Sequence, residues 1–349
     1  MHMKQLSFLD RWLTLWIALA MAAGVALGAC APGWTAWVST MSVGATPVPL
    51  AVGLVLMMYP PLAKVRYEQM GMSLGGNRRL LVLSLVQNWV VGPVLMTALA
   101  VVFLHGHPGY LIGVVLVGLA RCIAMVVVWN DLAGGHREFG VGLVALNAVF
   151  QVLFYACYIW LFITVFLGSA GLVPGVQAKV PFWDSALTVL VYLGIPFAAG
   201  LASRLLLVRL KGSEWYETKF TPRISPLTLI FLLFTIVVMF SLQGSSFLHR
   251  PGDVLLVALP LVLYFALLWF STLLIARALG AGYEESAAAA FSAASNDFEL
   301  AIAVAIALWG AASPQAFAAV IGPLIEVPAM VLLVRVALAW KSRLWRSPA

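Results

Sequence analysis

The chain has 349 residues, 63% of them hydrophobic and only 9% charged, with a mean hydropathy of +1.02 and a formal net charge of +7. Soluble domains carry roughly 25% charged residues, so this composition excludes a soluble globular protein and points to a polytopic membrane protein. The three cysteines, Cys30, Cys122 and Cys157, lie in or at the ends of apolar segments and have neither a disulfide framework nor a zinc-site spacing.

A membrane-spanning helix needs roughly 20 apolar residues. Ten segments meet that need, near 12–29, 44–62, 79–104, 110–130, 139–167, 184–208, 224–242, 253–278, 284–309 and 315–339. The first could pass for a lipoprotein leader ending at Cys30. It is read as an uncleaved first helix, because its loss would break a regular pattern. Short Gly/Pro/His connections separate the segments. The exception is a charged stretch at 209–223, read as a cytoplasmic loop between helices six and seven.

Lys and Arg set the orientation. With the N-terminus inside, seventeen basic residues fall on the cytoplasmic side, two outside (Lys179 and Arg250), and one, Arg121, within the membrane. The expected fold is therefore an all-α integral membrane protein of ten transmembrane helices, with both termini cytoplasmic. The positive charge follows from this topology and calls for no nucleic-acid partner. Five helices before and five after the polar segment near residue 175 give halves of opposite topology, approximately 10–167 and 182–340. Inverted repeats of this kind are a recurring transporter plan. The whole chain reads as one transporter domain.

Helix four carries Arg121-Cys122 near mid-depth. A guanidinium there costs roughly 2.5–3.5 kcal/mol on insertion scales, so it is expected to have a partner. Its counterpart, helix nine, carries Ser295-Asn296-Asp297-Phe298-Glu299 at similar depth. Helices four and nine are expected to be discontinuous there, with half-helix ends freed to hold substrate or ions. Gly118 is the local hint of a break. Helix ten places Glu326 between Pro323 and Pro328, and prolines in a spanning helix kink it and free carbonyls. Asn147 and Gln151 share one face of helix five at i, i+4, and Asn88 lies near mid-depth in helix three.

These residues set a charge balance. Arg121 faces three candidate anions, Asp297, Glu299 and Glu326, and one suffices to neutralise it. A further ionised carboxylate would be unpaired in a low dielectric, which favours a protonated carboxyl. A carboxyl that exchanges its proton while exposed to alternate sides can couple transport to protons. No Gly-x-x-x-x-Gly-Lys-Ser/Thr loop, metalloprotease helix or nucleophile elbow is present. The chain therefore reads as no enzyme, with no cofactor and no bound metal.

The strings GLARCIAMVVVWNDLAGG (118–135), SNDFELAIAVAIAL (295–308) and GPLIEVPAMV (322–331) resemble the motifs of the arsenical-resistance arsenite permeases, a branch of the bile acid/arsenite/riboflavin transporter superfamily. The resemblance covers essentially the whole chain. It implies proton-coupled efflux of arsenite, with antimonite a further candidate, across the cytoplasmic membrane. It also implies that Cys122 and Glu326 are tied to transport. Asp297 departs from the family, where Asn is frequent. Arsenite near neutral pH is mostly the uncharged, thiophilic trihydroxide, and a single thiol can bind and release it. Arg121 beside Cys122 would favour thiolate, and Ser295 and Asn296 could bond the substrate hydroxyls. An alternative is a sodium-coupled organic-anion transporter of the same fold, with Arg121 on the anion.

Overall fold

The computed structural model describes residues 12–43, 46–69, 78–169, 180–249 and 251–345. The basic residues Lys4, Arg11, Lys179, Arg250 and Arg346, used above for orientation, lie outside these. Apart from a two-residue β-ladder, β1 (Ser42–Val43) with β2 (Thr46–Pro47), the described elements are helical.

The N-terminal half comprises α1 (Leu13–Cys30), α2 (Pro32–Thr40), α3 (Val48–Lys64), α4 (Arg78–Leu104), α5 (Pro108–Leu119), α6 (Val126–Leu132) and α7 (Arg137–Gly168). The C-terminal half comprises α8 (Phe182–Lys211), α9 (Ser213–Leu242, its helix continuing to His249), α10 (Pro251–Ala278), α11 (Tyr283–Ala294), α12 (Phe298–Trp309) and α13 (Pro314–Leu344). By length and composition, α4, α7, α8, α9, α10 and α13 can each cross a membrane, while α1, α3, α5 and α12 are shorter apolar helices.

Two packing groups emerge. Helix α9 lies along α1 and α3, and α8 packs on α3. Separately, α10 packs on α11, α13 and α4, and α5 on α13 and α4. Small residues allow close approach in the second group. On α11, Ala287, Ala288, Ala289, Ala290, Ala293 and Ala294 are all buried, the pattern by which membrane helices gain van der Waals contact.

Proline shapes the long helices. Pro93 has no N–H for the carbonyl four residues earlier. The helix widens to π geometry over Gln87–Val91 just before it, and the freed Trp89 carbonyl accepts from the Tyr158 hydroxyl at 2.7 Å. Pro196 follows a matching π segment, Leu190–Gly194. In contrast, α13 remains helical through Pro323 and Pro328.

One expectation needs correction here. The stretch 209–223 is not a loop: only Gly212, at φ 85°, turns the chain, and helix resumes at Ser213. Lys211 stacks over the Trp215 ring at 4.4 Å across that turn. Gly118, the local hint of a break, is the penultimate residue of α5, just before the chain leaves the helix at Ala120, and a Cβ there would run into Met96. It is glycine because α4 and α5 approach too closely for a side chain. Cys30 and Cys157 are exposed on the outer surface.

Candidate functional site

Both helices expected to break do so. Between α5 and α6 the chain leaves helical geometry at Ala120 (φ −96°, ψ 132°), and between α11 and α12 at Ser295 (φ −86°, ψ 137°). The two interruptions meet. Arg121 and Asn296 form an antiparallel bridge, with Cys122 N donating to Ser295 O at 3.2 Å and Asp297 N to Ala120 O at 3.3 Å. A helix end leaves its last carbonyls without partners, and in an apolar interior each must be met. Here each unwound segment supplies donors to the other's helix end.

The carbonyls closing α5 illustrate this. Leu116 O accepts from the Tyr155 hydroxyl at 2.9 Å, and Val117 O and Ala120 O accept from Asn296 Nδ2 at 2.8 and 3.0 Å. Gly118 O accepts from Arg121 Nη2. On the opposite helix, Ala293 O in the last turn of α11 accepts from Arg121 Nη1 at 3.0 Å. One guanidinium thus caps two half-helix C-termini, where the helix dipole favours a cation. The Tyr264 hydroxyl from α10 lies 2.7 Å from Nη1, and the guanidinium carbon is 5.9 Å from that ring's centroid. Gln151 Oε1 accepts from the Arg121 amide at 2.6 Å. Space for the guanidinium comes from Gly92, where a Cβ would stand 2.9 Å from Nη1.

This arrangement corrects the expected charge pairing. Arg121 is fully buried, yet among the described residues it forms no ion pair with Asp297, Glu299 or Glu326. Backbone dipoles take the place of a carboxylate. Nor does the guanidinium attend the neighbouring thiol. Successive residues on extended backbone point opposite ways, and Cys122 lies on the side of Ser295 and Glu326.

The carboxyl groups gather near the start of α12. Asp297 caps that helix, its Oδ1 accepting from Leu300 N at 3.0 Å, while Oδ2 is buried without a partner. Glu326 Oε1 accepts from Ser295 Oγ at 2.6 Å and from Asn296 N at 3.3 Å. Glu326 therefore reaches the unwound segment from α13, at the end of a half-helix where the dipole favours an anion. Gly322, one turn earlier on α13, leaves room for the Phe298 ring.

A cavity of about 720 Å³ approaches the crossing between the two packing groups. Glu299 and Glu326 line its inner end beside Ile123, and Lys64, Arg66 and Arg204 line it toward the basic face. The other predicted site residues, Arg121, Cys122, Ser295, Asn296 and Asp297, are buried behind its wall. Of the supporting amides, Asn147 bridges Trp89 Nε1 at 3.2 Å and Ser292 Oγ at 3.3 Å, so it ties α4, α7 and α11 together. Asn88 donates to Ser84 O within its own helix, 2.7 Å away, and does not reach the crossing by any described bond.

Sequence reasoning missed Tyr155, Tyr264, Gly92 and Ser292. Both tyrosines could have been noticed by position. They fall mid-span, whereas tyrosines of membrane proteins concentrate at the interfaces, and a buried hydroxyl needs a partner. Gly92 carries no such signal.

The sequence is similar to known proteins. Residues 51–250 match the sodium bile acid symporter family. The chain is 48% identical over 336 residues to the arsenical-resistance protein Acr3 of Corynebacterium glutamicum, covering 96% of this chain and 90% of that protein. It is 31% identical over 344 residues to the Acr3 of Alkaliphilus metalliredigens, covering 96% and 93%. An uncharacterized transporter of Synechocystis sp. is 33% identical over 350 residues, covering 95% and 88%. This helical protein, with two broken helices crossing at a buried polar centre, is matched by the family over residues 51–250 and by Acr3 proteins along nearly its whole length, and it belongs to the sodium bile acid symporter family of transporters, alongside the Acr3 arsenical-resistance proteins.

Proposed function

We propose that the protein exports trivalent arsenic from the cytoplasm in exchange for protons, by alternating access. The observation that carries this reading is the near full-length similarity to an arsenical-resistance Acr3 protein. In this reading the chain spans the cytoplasmic membrane ten times with both termini inside. The six long helices, the four shorter apolar ones and the pairing of α5–α6 and α11–α12 as broken fourth and ninth spans support that count. The antiparallel meeting of the two breaks is what two inverted five-helix repeats, approximately 10–167 and 182–340, would produce.

The cavity opens toward the face assigned as cytoplasmic, which suits entry of the neutral trihydroxide from inside. Cys122 is the thiol at the crossing. It exchanges for one hydroxyl of As(OH)₃: the S–H and As–O bonds break, an S–As bond forms, and water leaves. Because Cys122 is buried behind Ile123, this requires a shift of the 123–125 segment. A lone thiol suits cargo that must be released, and antimonite, with the same thiophilic chemistry, fits the same site.

Glu326 is the favoured proton carrier. It lines the cavity and meets Ser295, whose carbonyl receives the Cys122 amide. Substrate binding at Cys122 and proton exchange at Glu326 thereby act on one segment. Asp297, bound as a helix cap, and Glu299, on the cavity wall, are secondary carriers. Ser295 and Asn296 contact substrate only if they release Glu326 and the α5 carbonyls, respectively. The sodium-coupled organic-anion alternative loses its main support, because Arg121 is committed to backbone carbonyls and does not face the cavity.

Everted membrane vesicles test the assignment. Wild-type vesicles are expected to accumulate As(III), and Cys122→Ser vesicles with equal protein content are expected not to. Equal accumulation by the variant rules out the thiol as ligand. Absence of accumulation in wild type rules out arsenic as cargo.

A further inference from the structure

The family is named for sodium, and the crossing is where a sodium ion would be expected by chemistry. In transporters built on broken helices, unwound carbonyls and half-helix C-terminal ends coordinate the coupling cation. Such an ion needs several oxygen ligands at a point where two negative dipole ends converge. In this chain, those oxygens are already engaged. Gly118 O from α5 and Ala293 O from α11 both accept from Arg121, and the Tyr264 hydroxyl completes the set. The guanidinium is fully buried. A sodium ion does not fit this donor set while Arg121 is there, because its ligands and its volume are both taken.

Gly92 supplies an independent observation. Its missing Cβ would stand 2.9 Å from Arg121 Nη1, so α4 is shaped around the guanidinium. The absence of a carboxylate partner among the described residues points the same way. An arginine kept as half of an ion pair would sit against Asp297, Glu299 or Glu326. This one sits against the neutral dipoles that a free cation would use.

We infer that Arg121 is a tethered cation occupying the place of a coupling sodium ion, so that the crossing is held together without sodium and transport runs independently of it. Proton coupling through Glu326, on the opposite side of the unwound segment, is then left as the energy source. The inference rests on the transporter reading above but does not depend on arsenic being the cargo. It assigns Arg121 a positioning role: it holds two half-helix ends at fixed separation and leaves Cys122 and Glu326 free for substrate and proton.

The test uses the purified full-length chain in detergent, with no arsenic present. Thermal unfolding is followed by tryptophan fluorescence at constant ionic strength while sodium replaces choline. Wild type is expected to show no saturable shift, whereas a saturable rise with sodium would overturn the proposal. Arg121→Ala is expected to unfold at a lower temperature and to regain part of the loss with low millimolar guanidinium or with sodium, but not with choline. No response to either cation would also overturn it. If Arg121→Ala does not fold, Arg121→Lys replaces it. That variant retains a tethered cation and is expected to fold and remain indifferent to sodium, and a sodium-dependent Arg121→Lys contradicts the inference. Failure of wild-type vesicles to take up As(III) would instead count against the cargo and leave the cation result standing.

Discussion

Two buried arginines of this protein are held by opposite means, and at Arg121 the Nε is left without a partner among the described residues. Arg121 at the crossing is held by two backbone carbonyls and a tyrosine hydroxyl, with no carboxylate among the described residues. Arg204, in the C-terminal half of α8 and 3% exposed, forms a bidentate pair with Glu68: Nε lies 3.0 and 3.1 Å from its two oxygens, and Nη2 lies 2.5 Å from Oε1. Glu217 stands 3.7 Å from the same nitrogen, and the Tyr216 ring lies 5.4 Å from the guanidinium carbon. Near water, a full counter-charge can be brought up because the carboxylate remains partly hydrated. Deep in the protein, a carboxylate would bring its own desolvation cost, and helix ends supply negative potential from groups that are buried regardless. Charge at the rim and dipoles at the centre should therefore respond differently to mutation, pH and salt.

The largest effect on transport should come from the carboxyl side of the crossing. Glu326→Gln keeps the size and loses the exchangeable proton. We expect proton-driven transport to fall more than about tenfold, equivalent to at least ~1.4 kcal/mol, with As(III) binding retained. Transport flux set against equilibrium binding checks this.

Next comes the guanidinium. Arg121→Ala leaves Gly118 O and Ala293 O buried without donors, at about 1–3 kcal/mol each, and thermal unfolding reads the sum. Tyr264→Phe removes one hydrogen bond and leaves the carbonyl contacts, so a loss of about 1–2 kcal/mol is expected. A Tyr264→Phe loss as large as that of Arg121→Ala would show that the carbonyls contribute little, and the contrast between the two arginines would fail.

The rim pair gives a smaller, pH-dependent effect. Burial alone would raise the Glu68 carboxyl, but the hydrogen bond and charge of Arg204, with Arg66 adding to them, hold it below the usual carboxylate range. A depressed folded-state value means that the unfolded chain binds the proton more readily. The stabilisation is then present above the ordinary value, about 4.3 for Glu, and is lost as pH falls through the lower folded value. Glu68→Gln should cost about 1 kcal/mol near neutral pH, and its difference from wild type should shrink on acidification. The Arg121→Ala difference has no Glu68-type component and should not follow that course.

Smallest is the response to salt. Arg66 Nη2 and Glu217 Oε2 lie 2.5 Å apart, but both side chains are more than a third exposed. Raising ionic strength should remove a few tenths of a kcal/mol at most from that pair, measured as the change in the Glu217→Gln effect on unfolding.

Much of the fold was legible because hydropathy writes apolar helices directly into sequence. Each of the ten apolar segments overlaps helix among the described residues, six of these helices are long and apolar enough to cross a membrane, and the two predicted breaks fall at Ala120–Met125 and Ser295–Asp297. What could not be read was what holds the breaks open. Neither segment contains proline, and each is unwound because the other supplies its hydrogen bonds, a reciprocal contact between residues about 175 positions apart. Local sequence does not carry that information. The same limit hid Tyr264 and Gly92, which matter only through their distance to Arg121. It also misled the pairing of Arg121, since counting charges cannot register a backbone carbonyl. The stretch 209–223 was misread for a different reason. Its charged residues look like a solvated loop, yet a single left-handed glycine lets the helix restart at once.

The most direct test of the account is As(III) accumulation in everted vesicles driven by an imposed gradient, with either protons or sodium as the sole driving ion. Accumulation that follows the proton gradient, collapses with a protonophore, ignores sodium and disappears in Glu326→Gln is the predicted result. Accumulation driven by sodium, or unchanged in Glu326→Gln, would contradict it.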